Sequence, residues 1–461
     1  MTNLSREELI ELDRKFFIHP TSSIQKQHTE GASFIFTEGE GIYLKDISGK
    51  KVIDGMSSLW NVNVGHGRKE LAETASAQME KLAFSSAMST FSHEPAIVLA
   101  EKLATLTPGD LNAVFFTSGG SESNDSAFKL AKHYWRIKGE PQKNKIISRE
   151  KAYHGISMGA TSATGIKEFW NMSGTKSPDF LHAAKPVNNY YGSERLSDSE
   201  LDEVQSIRSI INEEGPDTIA AFIAEPIQGA GGMIVPSDEY FKQVRTLCDE
   251  YNILFIADEV ITGFGRTGKM FCTQHWNVVP DIMTIAKGIT SGYVPLGGVC
   301  VSKKVHDTLI ELSAGTLFHG FTYSGHPTAC AVALKNIEII EKENLVENSK
   351  ERGEQMLKGF LALKNEFEIV GNVRSMGLLG AFDLMRDPDL GIEFSTNLQI
   401  ASKFVEHAAD RGLVCRSVTY DGKNTIVLAP PLIINTNQMD DIIGIIRETI
   451  LEVKKELALA L

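Results

Sequence analysis

Two charged side chains that could do chemistry follow directly on apolar runs of sequence. Residues 253–257 (ILFIA) lead into Asp258, and residues 281–286 (DIMTIA) lead into Lys287. If both runs are buried strands of an open α/β sheet, the two side chains lie at the carboxyl edge, where such sheets bind ligands. Burial of a lysine is unfavourable unless the amine is used, and desolvation lowers its pKa, as an amine nucleophile requires. The structural alternatives are an ion-paired or capping Asp258 and a lysine that reaches solvent.

A third apolar run leads into a candidate anion site. In AVFFTSGGSESNDSAFKLAKHYW, which begins at Ala113, the run passes through a Ser/Gly loop into an amphipathic helical segment. Backbone N–H groups at such a helix start bind phosphate, helped by the helix dipole, although loops of this composition are common. A lysine, a carboxylate and a phosphate cup on three strand ends suit pyridoxal phosphate, which has an aldehyde, a ring nitrogen and a phosphate to be held.

The sequence also contains GFGRTG at residues 263–268, a match to the dinucleotide-binding pattern G-x-G-x-x-G. A nicotinamide site needs these glycines directly after a strand and at the start of a helix. Here residues 259–262 intervene, and the following KMFCTQHWNVVPD has no helical period. We therefore predict a turn at this position, and we reject the nicotinamide oxidoreductase that the motif suggests.

The elements that must position these residues alternate between helical segments and short apolar runs from about residue 69 onward. The runs lie at residues 113–116, 145–148, 218–225, 253–258 and 281–287. This alternation predicts an α/β fold with a mostly parallel central sheet flanked by helices. Toward the N-terminus, Ser5 and Glu8 predict a capping box for a short helix, and residues 33–54 predict two or three antiparallel strands. A long helical stretch is predicted after residue 328.

The simplest division of the chain has a large domain and a smaller α/β domain built from both termini. We predict the N-terminal part of the small domain at residues 1–59 and the large cofactor-binding domain at residues 60–330. The C-terminal part of the small domain follows at residues 331–461. At 461 residues, the chain is long enough for two sizeable cores.

Composition argues against several classes of partner. The 46 Lys and Arg against 59 Asp and Glu give a net charge of −13, which disfavours nucleic acids and anionic membrane surfaces. No uncharged run approaches the roughly 20 apolar residues that a spanning helix needs, and the N-terminus has no apolar leader segment. The 5 scattered cysteines indicate reduced, buried thiols, so we predict a cytoplasmic protein, and no metal site is predicted.

With these residues in place, the chain resembles the class III (ω-) aminotransferases of the fold-type-I pyridoxal-phosphate enzymes, over residues 20–432. The resemblance is specific because many segments match in order. They are SSLWNVNVGHG, FFTSGGSESND, YHGISMGA, IAEPIQGAGG, FIADEVITGFGRTG, IAKGITSGYVPLGG, HGFTYSGHP and CRSVTYDGKNTIVLAPPL. The resemblance implies pyridoxal phosphate as cofactor and a homodimer whose active sites lie at the subunit interface.

The resemblance implies roles around the cofactor ring for four residues. Lys287 would bond covalently to the cofactor aldehyde and move the substrate proton. Asp258 would pair with the ring nitrogen. Val260 would pack on one ring face and Tyr153 would stack on the other. Packing in an ordinary core is the alternative for Tyr153.

Further implied contacts hold the cofactor phosphate. Gly120 and Ser121 would bind it, and Thr322 would reach the phosphate bound by the partner subunit. One position departs from the family, whose members commonly have Asn-Ser-Gly-Ser where this chain has Ser-Gly-Gly-Ser at residues 118–121. Gly119 lacks the hydroxyl of that serine, so one phosphate hydrogen bond is in doubt and cofactor affinity could be lower.

The resemblance also implies residues of the substrate pocket. Trp60 would line it, and Arg416 would bind the substrate carboxylate bidentately. The alternatives are core packing for Trp60 and an exposed loop position for Arg416. Glu225 and Gln228 match the E-P-x-x-G segment of the family, and their role is left open as support near the cofactor or the pocket entrance.

The predicted reaction is ping-pong transfer of an amino group from an ω-amino acid or amine to pyruvate. The SSLWNVNVGHG segment and the context of Arg416 resemble the ω-amino acid:pyruvate enzymes most. The alternative is the adenosylmethionine–8-amino-7-oxononanoate aminotransferase of biotin synthesis. Members of that group tend to carry two adjacent tryptophans where this chain has Leu59-Trp60, which disfavours it. Aminomutation and decarboxylation stay open, because fold does not fix function.

Overall fold

The computed structural model describes residues 4–186, 190 and 204–460. The N-terminal elements are α1 (Arg6–Phe16), α2 (Ile24–Glu30), β1 (Phe36–Glu40), β2 (Tyr43–Asp46), β3 (Lys51–Asp54) and α3 (Ser57–Trp60). The predicted capping box is confirmed, since Ser5 Oγ accepts from the Glu8 N–H at 3.2 Å and Ser5 N–H donates to Glu8 Oε2 at 2.7 Å. The predicted antiparallel strands are confirmed as well, because β2 pairs antiparallel with both β1 and β3.

The middle of the chain builds the largest sheet. Its elements are α4 (Lys69–Leu82), α5 (Glu94–Leu106), β4 (Leu111–Thr117), α6 (Gly120–Ile137), β5 (Lys145–Arg149), α7 (Met158–Ala163), α8 (Trp170–Ser173), β6 (Phe180–Ala183), α9 (Gln205–Glu214), β7 (Ile219–Ala224), α10 (Tyr240–Glu250), β8 (Leu254–Asp258), β9 (Ile282–Ile285), β10 (Gly297–Ser302) and α11 (Lys303–Leu312). Among the described residues, this sheet has 7 strands in the order β4-β10-β9-β8-β7-β5-β6. Only β10 runs opposite to its neighbours, so the predicted mostly parallel sheet is confirmed.

Helices cover both faces of this sheet because successive strand residues point to opposite sides. In β7, Phe222 packs on one face with Phe241 of α10, while Ile223 packs on the other face with Phe128 of α6. Every residue of β7, β8 and β9 is buried. Such double burial explains why these strands are continuous apolar runs, and it leaves only their ends free for polar side chains.

The C-terminal elements are α12 (Pro327–Lys342), α13 (Leu345–Glu366), β11 (Val370–Ser375), β12 (Gly380–Asp387), β13 (Ile392–Glu393), α14 (Ile400–Asp410), β14 (Leu413–Val414), β15 (Arg416–Val418), β16 (Thr425–Leu428) and α15 (Thr436–Ala460). The helical stretch predicted after residue 328 is two helices, because Asn344 adopts a left-handed φ of 53° between them. None of the described helices is both long and apolar enough to cross a membrane.

Two smaller sheets flank the large one. The first has the order β1-β2-β3-β14, and the second has the order β11-β12-β16-β15, with β13 added to β12. In the first sheet, β14 pairs parallel with β3, so strands from both ends of the chain share it. Next to β3, the Gly55 N–H donates to Val414 O at 2.9 Å and the Ala429 N–H donates to Gly55 O at 2.8 Å. The domain boundaries stay a prediction.

Candidate active site

Three chain segments that bear the predicted site residues meet at one edge of the large sheet. Asp258 is the last residue of β8, Lys287 follows two residues after β9, and Gly120 begins α6 just beyond β4. These three strands run in the same direction, so their carboxyl ends lie at the same edge. Lys287 has a left-handed backbone with φ 50°, which is rare for a residue with a side chain and typical of functional sites.

The Asp258 carboxylate is buried and held by three hydrogen-bond donors. Its Oδ1 accepts from the Val260 N–H at 3.1 Å. Its Oδ2 accepts from Asn124 Nδ2 at 2.8 Å and lies 2.7 Å from His154 Nδ1. Thr284 Oγ1 donates to Asn124 Oδ1 at 2.8 Å, which turns the amide N–H groups of Asn124 toward the carboxylate. The carboxylate therefore has a fixed orientation.

The Lys287 amine lies in the environment that the sequence predicts. Its Nζ is 5.4 Å from the centre of the Trp60 ring. Burial lowers the pKa of Lys287 from 10.5 to about 8, while the negative charges of Asp258 and Glu225 oppose this shift and Arg416 adds to it. A substantial fraction of the amine is consequently unprotonated near neutral pH, so it can act as a nucleophile.

Glu225 and Gln228, whose roles the sequence left open, support the loop that carries Tyr153. Glu225 Oε1 accepts from the Tyr153 N–H at 2.8 Å, and Oε2 accepts from the Gly229 N–H at 3.1 Å. Burial raises the pKa of Glu225 to about 7. Gln228 Nε2 donates to Glu150 O at 2.9 Å. Both side chains thus stabilise backbone around the site.

The start of α6 has the form of an anion cup. Gly119 stands at the N-cap, so no side chain caps the first turn of α6. Ser121 Oγ accepts from the Ile156 N–H at 3.1 Å, which joins the cup to the loop after β5. A Cβ on Gly120 would lie 2.9 Å from Val260 Cγ1, so close packing favours glycine there. At Gly119 the backbone is extended and a Cβ would meet no atom within 4 Å, so a serine would fit.

Trp60 lies close to both Lys287 and Arg416, the arginine that is predicted to bind a carboxylate. The ring is 3% exposed, and Arg416 Cζ lies 4.8 Å from its centre. The turn before it is strained, with left-handed φ values of 46° at Ser57 and 58° at Trp60. Ser57 Oγ donates to Ala429 O at 2.7 Å, which anchors this turn to the C-terminal part of the chain.

The other predicted residues are less deeply buried than Asp258. Tyr153 is half-buried with its ring 5.3 Å from that of Phe169, and burial raises its pKa. Val260 is half-buried against Gly120. Thr322 is exposed in the turn ahead of α12, so its predicted contact with the phosphate of a partner subunit stays a prediction.

The GFGRTG segment at residues 263–268 forms turns and does not begin a helix, which confirms the predicted turn. Its Arg266 is buried and connects separate parts of the chain. Arg266 Nη1 donates to Leu378 O at 3.1 Å, and Nη2 donates to Ser57 Oγ and to Asn63 Oδ1, both at 2.9 Å. The segment therefore has a structural function, namely to fix the turn that carries Trp60.

Sequence reasoning singled out neither His154 nor Asn124, although both contact Asp258. A signal was present in each case. His154 directly follows Tyr153 in the YHGISMGA segment, and Asn124 lies four residues after Gly120, one helical turn into α6. Because their function depends on meeting Asp258 in space, only the fold reveals it.

Comparisons with known proteins agree with this geometry. The family model "Aminotransferase class-III" matches residues 24–450. A putrescine–pyruvate aminotransferase of Pseudomonas aeruginosa is 39% identical over 453 residues, which are 97% of each chain. A transaminase structure from the marine bacterium Virgibacillus is 60% identical, with a TM-score of 0.94 over 97% of this chain and 99% of that one. An (S)-enantioselective ω-transaminase structure from Thermomicrobium roseum is 44% identical, with a TM-score of 0.93 over 98% and 100% of the two chains.

The residues at the sheet edge fit the cofactor of this family. Pyridoxal phosphate needs an amine, a carboxylate and an anion cup, and Lys287, the buried Asp258 and the uncapped start of α6 have the chemistry to supply them. In addition, Trp60 Nε1 is buried without a hydrogen-bond partner among the described residues, as expected where a bound group completes a site. The fold, the fit and the matches agree: the chain is a class III aminotransferase of the fold-type-I architecture, dependent on pyridoxal phosphate.

Proposed function

We propose that this aminotransferase transfers an amino group from an ω-amino acid or amine to pyruvate. The observation that carries the proposal is the placement of Lys287 and Arg416 near one Trp60 ring, at 5.4 and 4.8 Å from its centre. A guanidinium binds a carboxylate bidentately, so Arg416 holds the keto acid while its carbonyl carbon faces Lys287. A donor without a carboxylate packs its chain on Trp60 instead.

The residues around the cofactor ring have distinct tasks in this proposal. When bound, pyridoxal phosphate supplies a carbon that exchanges amino groups and a ring that accepts electrons. Lys287 would hold the cofactor, and its Nζ would move the proton at the substrate carbon. Asp258 would keep the ring nitrogen protonated, and Val260 and Tyr153 would pack against the ring.

The phosphate is held at the start of α6. Gly120 brings the backbone close to it, and Ser121 adds a hydroxyl and a backbone N–H. Thr322 contributes a hydroxyl to the phosphate in the other subunit of a homodimer. The exposed position of Thr322 supports this assignment, since its side chain is free of the core of its own chain.

A homodimer is also supported by apolar side chains that are exposed in the single chain. They include Ile156 at 58%, Met158 at 65%, Phe318 at 91% and Tyr323 at 60% exposure. Ile156 and Met158 follow the loop that carries Tyr153, and Phe318 and Tyr323 flank Thr322 in sequence. Exposed apolar side chains of this kind are typical of an interface, and we assign a second copy of the chain as the partner that covers them.

The cysteines support a cytoplasmic location. All 5 are free and buried. Reduced thiols of this kind are typical of the cytoplasm, so we place the enzyme there.

The named relatives support the choice of substrates. The relative from Pseudomonas aeruginosa is named for putrescine, an amine without a carboxylate, and for pyruvate as acceptor. The relative from Thermomicrobium roseum is named as an ω-transaminase. No observation favours the biotin-pathway reaction.

The test is the visible absorbance of the protein reconstituted with pyridoxal phosphate. We expect a yellow band that fades when alanine is added and returns with pyruvate, and amine donors should produce the same cycle. Lys287→Ala should abolish the cycle, whereas the control Lys269→Ala, at an exposed lysine, should not alter it. Transamination by Lys287→Ala near the wild-type rate, or a wild-type protein that stays colourless, would refute the proposal.

A further inference from the structure

A side chain of α12 holds the turn that Lys287 begins, and the roles assigned above give it no task. The turn comprises Lys287, Gly288 and Ile289, just after β9. Asn336 of α12 is 0% exposed, and its Nδ2 donates to Gly288 O at 2.8 Å and to Ile289 O at 2.9 Å. One amide therefore holds the two carbonyl groups that follow the reactive lysine.

The amide of Asn336 has a fixed orientation. Its Oδ1 accepts from Ser291 Oγ at 2.6 Å, and Ser291 Oγ accepts in turn from the Val64 N–H at 3.2 Å. Because a hydroxyl both donates and accepts, Ser291 can make these two hydrogen bonds at once. The oxygen of the amide thus faces Ser291, and both of its N–H groups face the turn of Lys287.

The turn of Lys287 needs this support. The φ angles of Lys287 and Ser291 are both 50°, a left-handed conformation that residues with a side chain adopt only when their surroundings enforce it. Gly288 and Ile289 are buried. Without Asn336, their carbonyls would lose a donor inside the protein, so the turn would have to move to find another. A left-handed Lys287 would relax with it.

The position of this turn decides where the Lys287 amine lies. Its Nζ is 5.4 Å from the centre of the Trp60 ring, and the charged groups that act on it are Asp258, Glu225 and Arg416. Burial in this place lowers the pKa of the amine to about 8. Relaxation of the turn would carry the amine toward water, and its pKa would rise toward 10.5. The pKa of Lys287 in the apoenzyme thus reports the position of the turn.

We propose that Asn336 is a positioning residue, which fixes the turn from which the Lys287 amine moves the substrate proton. The inference rests on the proposed function, because the proton transfer by Lys287 belongs to that proposal. Asn336 acts on Lys287 through the backbone of Gly288 and Ile289. Its loss should therefore change the pKa of the amine and slow the proton transfer.

The first test needs no cofactor. The pH dependence of the labelling of Lys287 by acetic anhydride, read by mass spectrometry of the peptide that carries it, gives the pKa of the amine in the apoenzyme. We expect a midpoint near pH 8 for the wild type. Asn336→Leu keeps the shape of the side chain without its donors, so its midpoint should be about one pH unit higher. An unchanged midpoint would overturn the proposal.

Asn348 is the matched control because it makes the same kind of contact elsewhere. Its Nδ2 donates to Leu432 O at 2.6 Å and to Ile434 O at 3.0 Å, and neither carbonyl belongs to the turn of Lys287. Asn348→Leu should leave the labelling midpoint of Lys287 at its wild-type value. An equal shift in both variants would indicate a general loosening of the fold and would overturn the proposal.

The second test uses the enzyme loaded with pyridoxal phosphate and an amine donor deuterated at the carbon that loses its proton. A misplaced Nζ slows the proton transfer, so Asn336→Leu should lower the limiting rate of the amine half-reaction by roughly tenfold or more. Its deuterium isotope effect should be at least as large as that of the wild type. A lower rate with a smaller isotope effect would mean that another step is slowed, which would overturn the proposal.

Ser291→Ala is a milder variant that decides if Asn336→Leu shows no cooperative unfolding. It removes the hydroxyl that orients the amide and leaves both amide donors in place. The labelling midpoint of Lys287 should therefore rise by less than one pH unit. A midpoint equal to that of the wild type would overturn the proposal.

The wild-type protein distinguishes this inference from the proposed function. If it transaminates, but Lys287 of Asn336→Leu is labelled as in the wild type, the role of Asn336 alone is wrong. If the wild type does not transaminate, the proposed function fails, and the role of Asn336 in proton transfer fails with it.

Discussion

Asp258 and Glu259 are adjacent carboxylates at the end of one strand, and they form hydrogen bonds with different parts of the chain. Asp258 belongs to the site edge, where His154 and Asn124 hold it. Glu259 is 0% exposed and holds the glycine turn. Its Oε2 accepts from Thr262 Oγ1 at 2.5 Å and from the Cys272 N–H at 3.0 Å, and its Oε1 accepts from the N–H and Oγ1 of Thr273 at 2.8 and 3.1 Å.

The difference lies in how completely the buried polar groups are used. In the glycine turn, Glu259 accepts four hydrogen bonds, and both Nη atoms of Arg266 donate two each. At the site edge, Trp60 Nε1 and His154 Nε2 are buried without partners among the described residues. Arg266 Nε also lacks a partner among the same residues, so the contrast lies in the two carboxylates. Protein groups donate four hydrogen bonds to Glu259, whereas Oδ1 of Asp258 accepts one within the described residues and keeps an acceptor site for a ligand.

We expect the largest effect from replacing the two carboxylates, because the two substitutions should lower the free energy of unfolding by different amounts. Glu259→Ala leaves four buried donors without their acceptor, so we expect the apoenzyme to lose more than about 3 kcal/mol of unfolding free energy. Asp258→Ala should cost less stability but should prevent retention of pyridoxal phosphate. Urea unfolding and cofactor titration measure both quantities. A larger loss of unfolding free energy for Asp258→Ala than for Glu259→Ala would contradict this expectation.

The next effect concerns Arg416, the predicted carboxylate-binding residue. Arg416→Ala should lower kcat/KM for pyruvate by roughly tenfold to a hundredfold, the effect of losing charge-assisted hydrogen bonds to a carboxylate. The half-reaction with an amine that lacks a carboxylate should change little. Arg416→Lys keeps the charge without the bidentate fork, so it should recover only part of the loss. Equal losses with the acid and the amine would reject the role of Arg416.

A smaller effect comes from the titration of Lys287. Burial lowers the pKa of Lys287 from its ordinary value of 10.5 to about 8, so the unfolded apoenzyme binds more protons than the folded one between these pH values. Stability linked to Lys287 therefore rises with pH from about 8 to 10.5, and it is constant below that window. We expect the melting temperature of wild type to gain a few degrees relative to Lys287→Met across the window. A constant difference between the two proteins would contradict the shift.

The smallest effect is expected at the anion cup. Because a side chain at Gly119 would meet no atom within 4 Å, Gly119→Ser should fit and add a hydroxyl. One hydrogen bond from the hydroxyl to the charged phosphate should tighten pyridoxal phosphate by about tenfold. Gly119→Ala is the matched control for the loss of glycine. Equal affinities of Gly119→Ser and Gly119→Ala for pyridoxal phosphate would show that the serine hydroxyl does not contribute to binding.

In contrast, Gly120→Ala should weaken the binding of pyridoxal phosphate, because its Cβ would lie 2.9 Å from Val260 Cγ1.

The sequence predicts those parts of the fold in which local pattern and burial coincide. β8 and β9 are visible as apolar runs because both of their faces are covered. β10 and β6 were not predicted. β10 begins with two glycines, which are unfavourable in strands, and β6 (FLHA) has only 4 residues. Their places in the sheet depend on neighbouring strands that the local sequence does not indicate.

In the site as well, local sequence pattern predicts some residues, and others depend on contacts that only the fold creates. Asp258, Lys287 and the start of α6 can be predicted because strand ends and helix starts concentrate chemistry at known places. The contact between Asp258 and His154 joins residues 104 positions apart, so no local pattern contains it. In the sequence, Arg266 stands out only as part of GFGRTG, which is not a dinucleotide-binding motif here. Its function arises from segments near residues 57, 63, 378 and 430.

The pairing of β3 with β14 makes the pocket a late product of protein synthesis. The turn that carries Trp60 is tethered by Ser57 to Ala429, 372 positions further along the chain. Likewise, the Gly55 N–H donates its hydrogen bond to Val414 O, which is also far along the chain. A ribosome must therefore complete nearly the whole polypeptide before the first pocket residue that it made can adopt its final place. Nascent chains that end before residue 429 lack the acceptor that anchors the turn of Trp60.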